Sequence, residues 1–114
     1  MTSEQIDLSR QLMSLPGSPR DWPTPQWIGD PELTGLRRLP KHTDTNAGRL
    51  LGLMAAAGWE PMYSHGATMS SHPERVHRCR TEAEEAWPLS VGSSMFESVA
   101  RCIIAVGRWP EVPT

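Results

Sequence analysis

Ser94-Met95-Phe96-Glu97-Ser98-Val99-Ala100-Arg101-Cys102-Ile103-Ile104-Ala105-Val106-Gly107 is the stretch that decides the fold. Ser94 and Glu97 have the spacing of a capping box, in which a hydroxyl and a carboxylate satisfy the first free N–H groups of a helix. Phe96, Val99, Ala100, Ile103, Ile104 and Val106 recur at helical spacing and form one apolar face. Gly107 closes the helix, and Trp109-Pro110 follows. Cys102 falls toward the apolar side and reads as core. A helix this apolar on one face must bury it against another layer.

Working back along the chain, that layer is a set of short strands. Trp59 to Ser64 reads as a first strand, with Pro61 marking it as an edge or bulged strand. His65 to Pro73 is polar and reads as a turn. Glu74 to Arg80 alternates, placing Val76, Arg78 and Arg80 on one face and Arg75, His77 and Cys79 on the other. A third strand is expected around Ala86 to Val91, and Pro88 again suggests an edge.

Residues 44–57 form a helix capped by Thr43, Asp44 or Thr45, with Leu50, Leu51, Leu53, Met54 and Ala57 at helical spacing and Gly58 at its end. Gly48 and Gly52 lie four apart on this helix, each costing about 1 kcal/mol relative to alanine. Close approach of another backbone is the expected compensation. Residues 2–15 read as a first helix, with Thr2 and Gln5 as its capping box and Pro16-Gly17 as its stop. Between them, residues 16–42 carry prolines at 16, 19, 23, 25, 31 and 40, which disfavour helix and remove backbone donors. Trp22, Trp27, Ile28, Leu33, Leu36 and Leu39 are apolar enough to hold this segment against the core as a wrapping loop.

The resulting expectation is an α+β fold. A short antiparallel sheet of two to four strands is layered with two or three helices, and a long proline-rich loop joins them. The chain reads as a single domain over 1–114: an N-terminal helix (1–15), the proline-rich segment (16–42) and an α-β-β-(β)-α core (43–109).

Composition narrows the function classes. With 11 basic and 13 acidic residues the net charge is −2, which argues against general nucleic-acid binding. No apolar run approaches the roughly 20 residues of a membrane span, and the polar start with Glu4 and Asp7 does not read as a signal peptide. Two cysteines, Cys79 and Cys102, are too few for a disulfide framework, so a cytoplasmic protein with reduced thiols is expected. Five tryptophans stand against one Phe and one Tyr. Most are expected in the core, with one or two on a functional surface.

Residues 43–109 resemble the phage ABA sandwich domain family. The shared features are Thr43-Asp44 before a helix, Gly58-Trp59 at its end, Glu85-Ala86-Trp87 in the strand region, and Ala100-Arg101-Cys102 in the last helix. The resemblance implies a small protein of a phage or prophage with helices packed on a sheet, acting in the host cytoplasm. It implies no activity and no catalytic residues.

Several constellations could carry chemistry. His65, His72, His77 and Cys79 offer metal-ligand types, but their spacing matches no standard zinc site, and no metal or other cofactor is expected. Cys79 beside His77 could form a nucleophile and base, without a visible orienting group or oxyanion signature. Glu82, Glu84 and Glu85 read as a solvated acidic stretch. Tyr63, His65, Arg75, His77, Arg78, Arg80 and Trp87 mix guanidinium, imidazole and aromatic groups suited to a nucleotide-type ligand. Trp22, Trp27, Arg37 and Arg38 are the candidate residues for a protein partner.

The leading expectation is a non-enzymatic binding protein that engages a host protein to modulate or counter a host system. A nucleotide or cyclic-nucleotide sponge acting against host defence is the second reading, and a small His/Cys enzyme the third. Edge-type strands leave room for a homodimer.

Overall fold

The computed structural model describes residues 2–17, 27–29, 38–40, 42–67, 75–83 and 86–111. Each helix begins on a hydroxyl. In α1 (Ser3–Ser14), Gln5 N–H donates to Thr2 Oγ1 at 3.2 Å and Thr2 N–H donates to Gln5 Oε1 at 2.9 Å, a complete capping box. After α1 come two three-residue strands, β1 (Trp27–Gly29) and β2 (Arg38–Pro40), which pair antiparallel. The segment 16–42 is therefore not irregular throughout. A three-residue pairing needs few donors, and Pro40 closes β2 as a buried residue beside α1.

Thr43 caps α2 (Asp44–Ala56), accepting from Asn46 N–H at 3.2 Å. Its far end is a Schellman turn. Trp59 N–H donates to the Met54 carbonyl at 2.9 Å, Gly58 N–H donates to that of Ala55 at 3.1 Å, and Gly58 takes the left-handed φ of 85° that a glycine allows. Trp59 and Met54 are both buried, giving the motif its apolar clasp. Gly48 and Gly52 overturn an expectation: both are exposed, and a Cβ built on either meets nothing within 4 Å. No described backbone approaches them, so close packing does not account for these glycines.

Three strands follow: β3 (Glu60–Ala67), β4 (Arg75–Glu82) and β5 (Leu89–Gly92), an antiparallel sheet in the order β3-β4-β5. β3 runs three residues past Ser64 into the segment expected to be a turn. There His65 pairs with His77 and Ala67 with Arg75, so cross-strand partners override the weak strand propensity of Ser, Gly and Ala. The last helix is α3 (Met95–Val106). Its cap differs in one detail from the capping-box expectation. Glu97 N–H donates to Ser94 Oγ at 3.1 Å, but the Glu97 carboxylate accepts from Ser93, through N–H at 2.9 Å and Oγ–H at 2.5 Å.

α3 is the hub. It lies across all three strands of the sheet and packs on both α1 and α2. Phe96, Val99, Ala100, Cys102 and Ile103 are fully buried, and with Leu12, Leu50, Met54 and Trp109 they form the core between sheet and helices. The helices occupy one face of the sheet, and the large residues of the other face, Met62, Leu89 and Val91, are exposed. No helix among the described residues is long and apolar enough to cross a membrane.

Candidate functional site

The pleat decides which side chains can act together. Residues paired across an antiparallel ladder point to the same face. Tyr63 pairs with Cys79, and Cys79 with Ser90; His65 pairs with His77, and His77 with Gly92. These rows face the helices. Met62, Arg80 and Leu89 form one row on the opposite face, and Ser64, Arg78 and Val91 form the next. The seven residues considered for a nucleotide site are thus divided. Tyr63, His65 and His77 stand on the helix side, at its open end. Arg78 and Arg80 stand on the outer side with Trp87, which alternation places in line with Leu89 and Val91. Arg75 falls on the helix-side register, and its side chain lies outside the described residues.

The outer face is unusually apolar for an uncovered sheet. Met62 is 70% exposed, Trp87 67%, Leu89 62% and Val91 47%. Arg78 and Arg80 stand among them, exposed and without an ion pair to any described residue. Glu60 and Glu82, directly paired, close one end of the face. Sequence reasoning missed Met62, Leu89 and Val91, because the alternation at 87, 89 and 91 looks like a core-facing strand. Gly92 shows why it is inverted. A Cβ there would come within 2.7 Å of Ser98 N and 2.9 Å of Glu97 Cβ. α3 sits so close to β5 that only Ser90 and Gly92 fit beneath it, and the larger residues turn outward.

On the helix side, chemistry separates into three places. At the open end, the Tyr63 hydroxyl is hydrogen-bonded to His77 Nδ1, and the His65 and His77 rings stack 5.5 Å apart. Deeper, Cys79 and Cys102 are buried; Cys102 Sγ donates to the Cys79 carbonyl at 2.8 Å, and Cys79 Sγ lies 3.8 Å from Thr81 Oγ1. The neighbouring Cys102 side chain, then burial, push the Cys79 thiol above the ordinary thiol range. A nucleophilic cysteine needs the reverse, a stabilised thiolate in reach of a base. Here the side chain of His77 is engaged with Tyr63.

The third place is His42, at the start of α2. Its ring stacks on Phe96 at 4.3 Å, and Nε2 is hydrogen-bonded to Ser9 Oγ at 2.8 Å. Nδ1 is buried without a hydrogen-bond partner. The Gln5 backbone approaches closely enough to favour the protonated ring, though not in hydrogen-bonding geometry with Nδ1. Burial nonetheless holds His42 below its ordinary range, outweighing Glu97 and Gln5.

Of the residues considered for a protein partner, Trp22 and Arg37 lie outside the described residues. Trp27 and Arg38 fall on opposite ends of the β1–β2 pairing, with their side chains outside the description. His72, Glu84 and Glu85 lie outside it as well. Trp59 and Trp109 are core, as most of the tryptophans were expected to be. At the other end of α2, Ala57, Trp59, Arg108 and Glu111 line an open groove of about 310 Å³, with the Arg108 guanidinium 5.3 Å from the Trp59 ring centre. Among the described residues no three His, Cys, Asp or Glu side chains are grouped to hold a metal ion. No family model matches this chain, and neither a curated protein nor a solved structure matches it.

Proposed function

We propose that this chain is a non-enzymatic binding protein whose partner is another protein, docked on the outer face of the three-stranded sheet. The observation that carries the reading is the row of Met62, Trp87, Leu89 and Val91, each at least 47% exposed and contiguous with Arg78 and Arg80. Apolar patches rimmed by polar residues mark interaction surfaces. Tryptophan and arginine are the residues that most often dominate binding energy once a partner excludes water. The two guanidinium groups without a described ion pair ask for carboxylates, so the partner surface would be apolar and rimmed with acidic residues. In the phage or prophage setting implied by the resemblance over 43–109, that partner would be a host protein, and binding would modulate or counter its activity.

The division of the Arg/His/Tyr set between two faces weighs against the nucleotide reading, which needs those groups to converge. The test is capture of host proteins on immobilised wild-type chain, beside Trp87→Ala, Leu89→Asp and a control on the helix side, Tyr63→Phe. A partner held by wild type and Tyr63→Phe, and lost by the two outer-face variants, is expected. Equal capture by all four chains would sink the proposal. So would a stoichiometric nucleotide in the small-molecule fraction released on denaturation.

A further inference from the structure

Independently of the outer face, the helix side holds an arrangement that spacing alone did not reveal. His65 and His77 are direct cross-strand partners, twelve positions apart in sequence. Their ring centres are 5.5 Å apart and their planes 13° from parallel. His65 is exposed and His77 half-buried, so both rings reach solvent. Tyr63 completes the stack, 6.2 Å from His65 and 5.9 Å from His77. Its hydroxyl engages His77 Nδ1.

We propose that His65 and His77 form a two-imidazole site for a divalent transition-metal ion of the class that imidazole suits, zinc or its borderline neighbours, with water filling the remaining positions. An ion bonded to imidazole nitrogen at ~2.1 Å lies ~3.2 Å from the ring centre. Two ring centres 5.5 Å apart then subtend about 120° at a shared ion, close to tetrahedral geometry. The rings are nearly parallel, so the exposed His65 ring must turn out of the stack to bring both nitrogens to one ion while Tyr63 holds His77.

Tyr63 is the positioning residue. A metal-bound imidazole keeps its orientation and tautomer through a hydrogen bond at its other nitrogen. The Tyr63 hydroxyl is already hydrogen-bonded to His77 Nδ1 and so meets the ring at the nitrogen turned away from the ion. A hydroxyl accepts as readily as it donates. Accepting from His77 Nδ1–H leaves the Nε2 lone pair free for the ion. Cys79 takes no part, since it is buried in the core with its thiol 3.8 Å from Thr81 Oγ1.

The experiment is calorimetric titration of zinc into the full chain, with the imidazole proton signals followed by NMR. Saturable one-to-one binding is expected, with shifts confined to two histidines. Affinity should fall at least tenfold in His65→Ala and in His77→Ala, and ~10-fold in Tyr63→Phe with unchanged stoichiometry. His65 is exposed, so His65→Ala keeps the fold and serves as the decisive variant, with circular dichroism as the check. His72→Ala should bind as wild type. No binding at millimolar zinc, binding that survives His65→Ala, or binding that is lost only in His72→Ala overturns the proposal.

Discussion

The indole N–H of Trp109 donates to the main-chain carbonyl of Leu12 at 2.8 Å, across 97 positions of sequence. The same residue closes a second bond, from its own backbone N–H to the Pro16 carbonyl at 3.0 Å. Trp109 is 2% exposed and Leu12 fully buried. The residue that follows the last helix therefore ties down the end of the first. Gly17 turns beneath it with a φ of 81°, its missing Cβ position 3.5 Å from Trp109 Cβ.

Truncating this clasp should be among the most damaging single changes in the chain. Trp109→Ala should cost about 3–5 kcal/mol, the range for removing a large buried aromatic. Trp109→Phe should cost less, about 1–3 kcal/mol, through the lost indole hydrogen bond and a smaller ring, while the Leu12 carbonyl keeps its bond from Leu15 N–H. Urea unfolding followed by circular dichroism measures both. A Trp109→Phe variant as damaging as Trp109→Ala would show that the hydrogen bond, and not packing, dominates.

Gly48 and Gly52 should be replaceable with a gain. Each sits in helix α2, exposed, with open space where a Cβ would stand. Alanine at either position should stabilise by about 0.5–1 kcal/mol through helix propensity and a more restricted unfolded chain. Gly92→Ala should do the opposite, since its Cβ would strike the backbone of α3 at Ser98. That overpacking should cost about 1–3 kcal/mol. Thermal unfolding of the three variants checks the contrast.

Glu60 and Glu82 are directly paired across β3 and β4 on the outer face. Like charges in this position destabilise a sheet. Glu82→Lys should raise stability by about 0.3–1 kcal/mol at low salt, with most of the gain screened in molar salt. A gain unaffected by salt would point to side-chain packing instead of charge.

His42 sets a pH dependence. Its folded pKa lies below the ordinary 6.5 because burial disfavours the imidazolium. The unfolded chain therefore takes up the proton first as pH falls. The stability contributed by neutral His42 is complete above the unfolded value of 6.5, declines as pH drops below it, and is lost once the folded value is passed. Urea midpoints between about pH 5 and pH 7.5 should fall toward the acid end, more gently in His42→Gln. Parallel slopes in the two chains would assign the dependence to other groups.

Local rules were enough to place the ends of the helices, to within a residue or two at the start of α2. Thr2, Thr43 and Ser94 start the three helices, and Gly58 and Gly107 end two of them with left-handed φ angles, because caps and stops need only a few neighbouring residues. The alternation of β4, with Arg78 and Arg80 opposite His77 and Cys79, follows from the two-residue period of a strand. Tertiary structure decided which face met the helices. The close seat of α3 on β5 admits Ser90 and Gly92 beneath it and turns Leu89 and Val91 outward, reversing what their hydrophobicity alone would suggest. It also decided which residues meet: the register that sets His65 against His77 extends β3 beyond its expected end, and Trp109 reaches Leu12 only because α3 packs beside α1. Contacts between distant positions depend on register and on the closeness of layers, and neither is written in the spacing of residues along the chain.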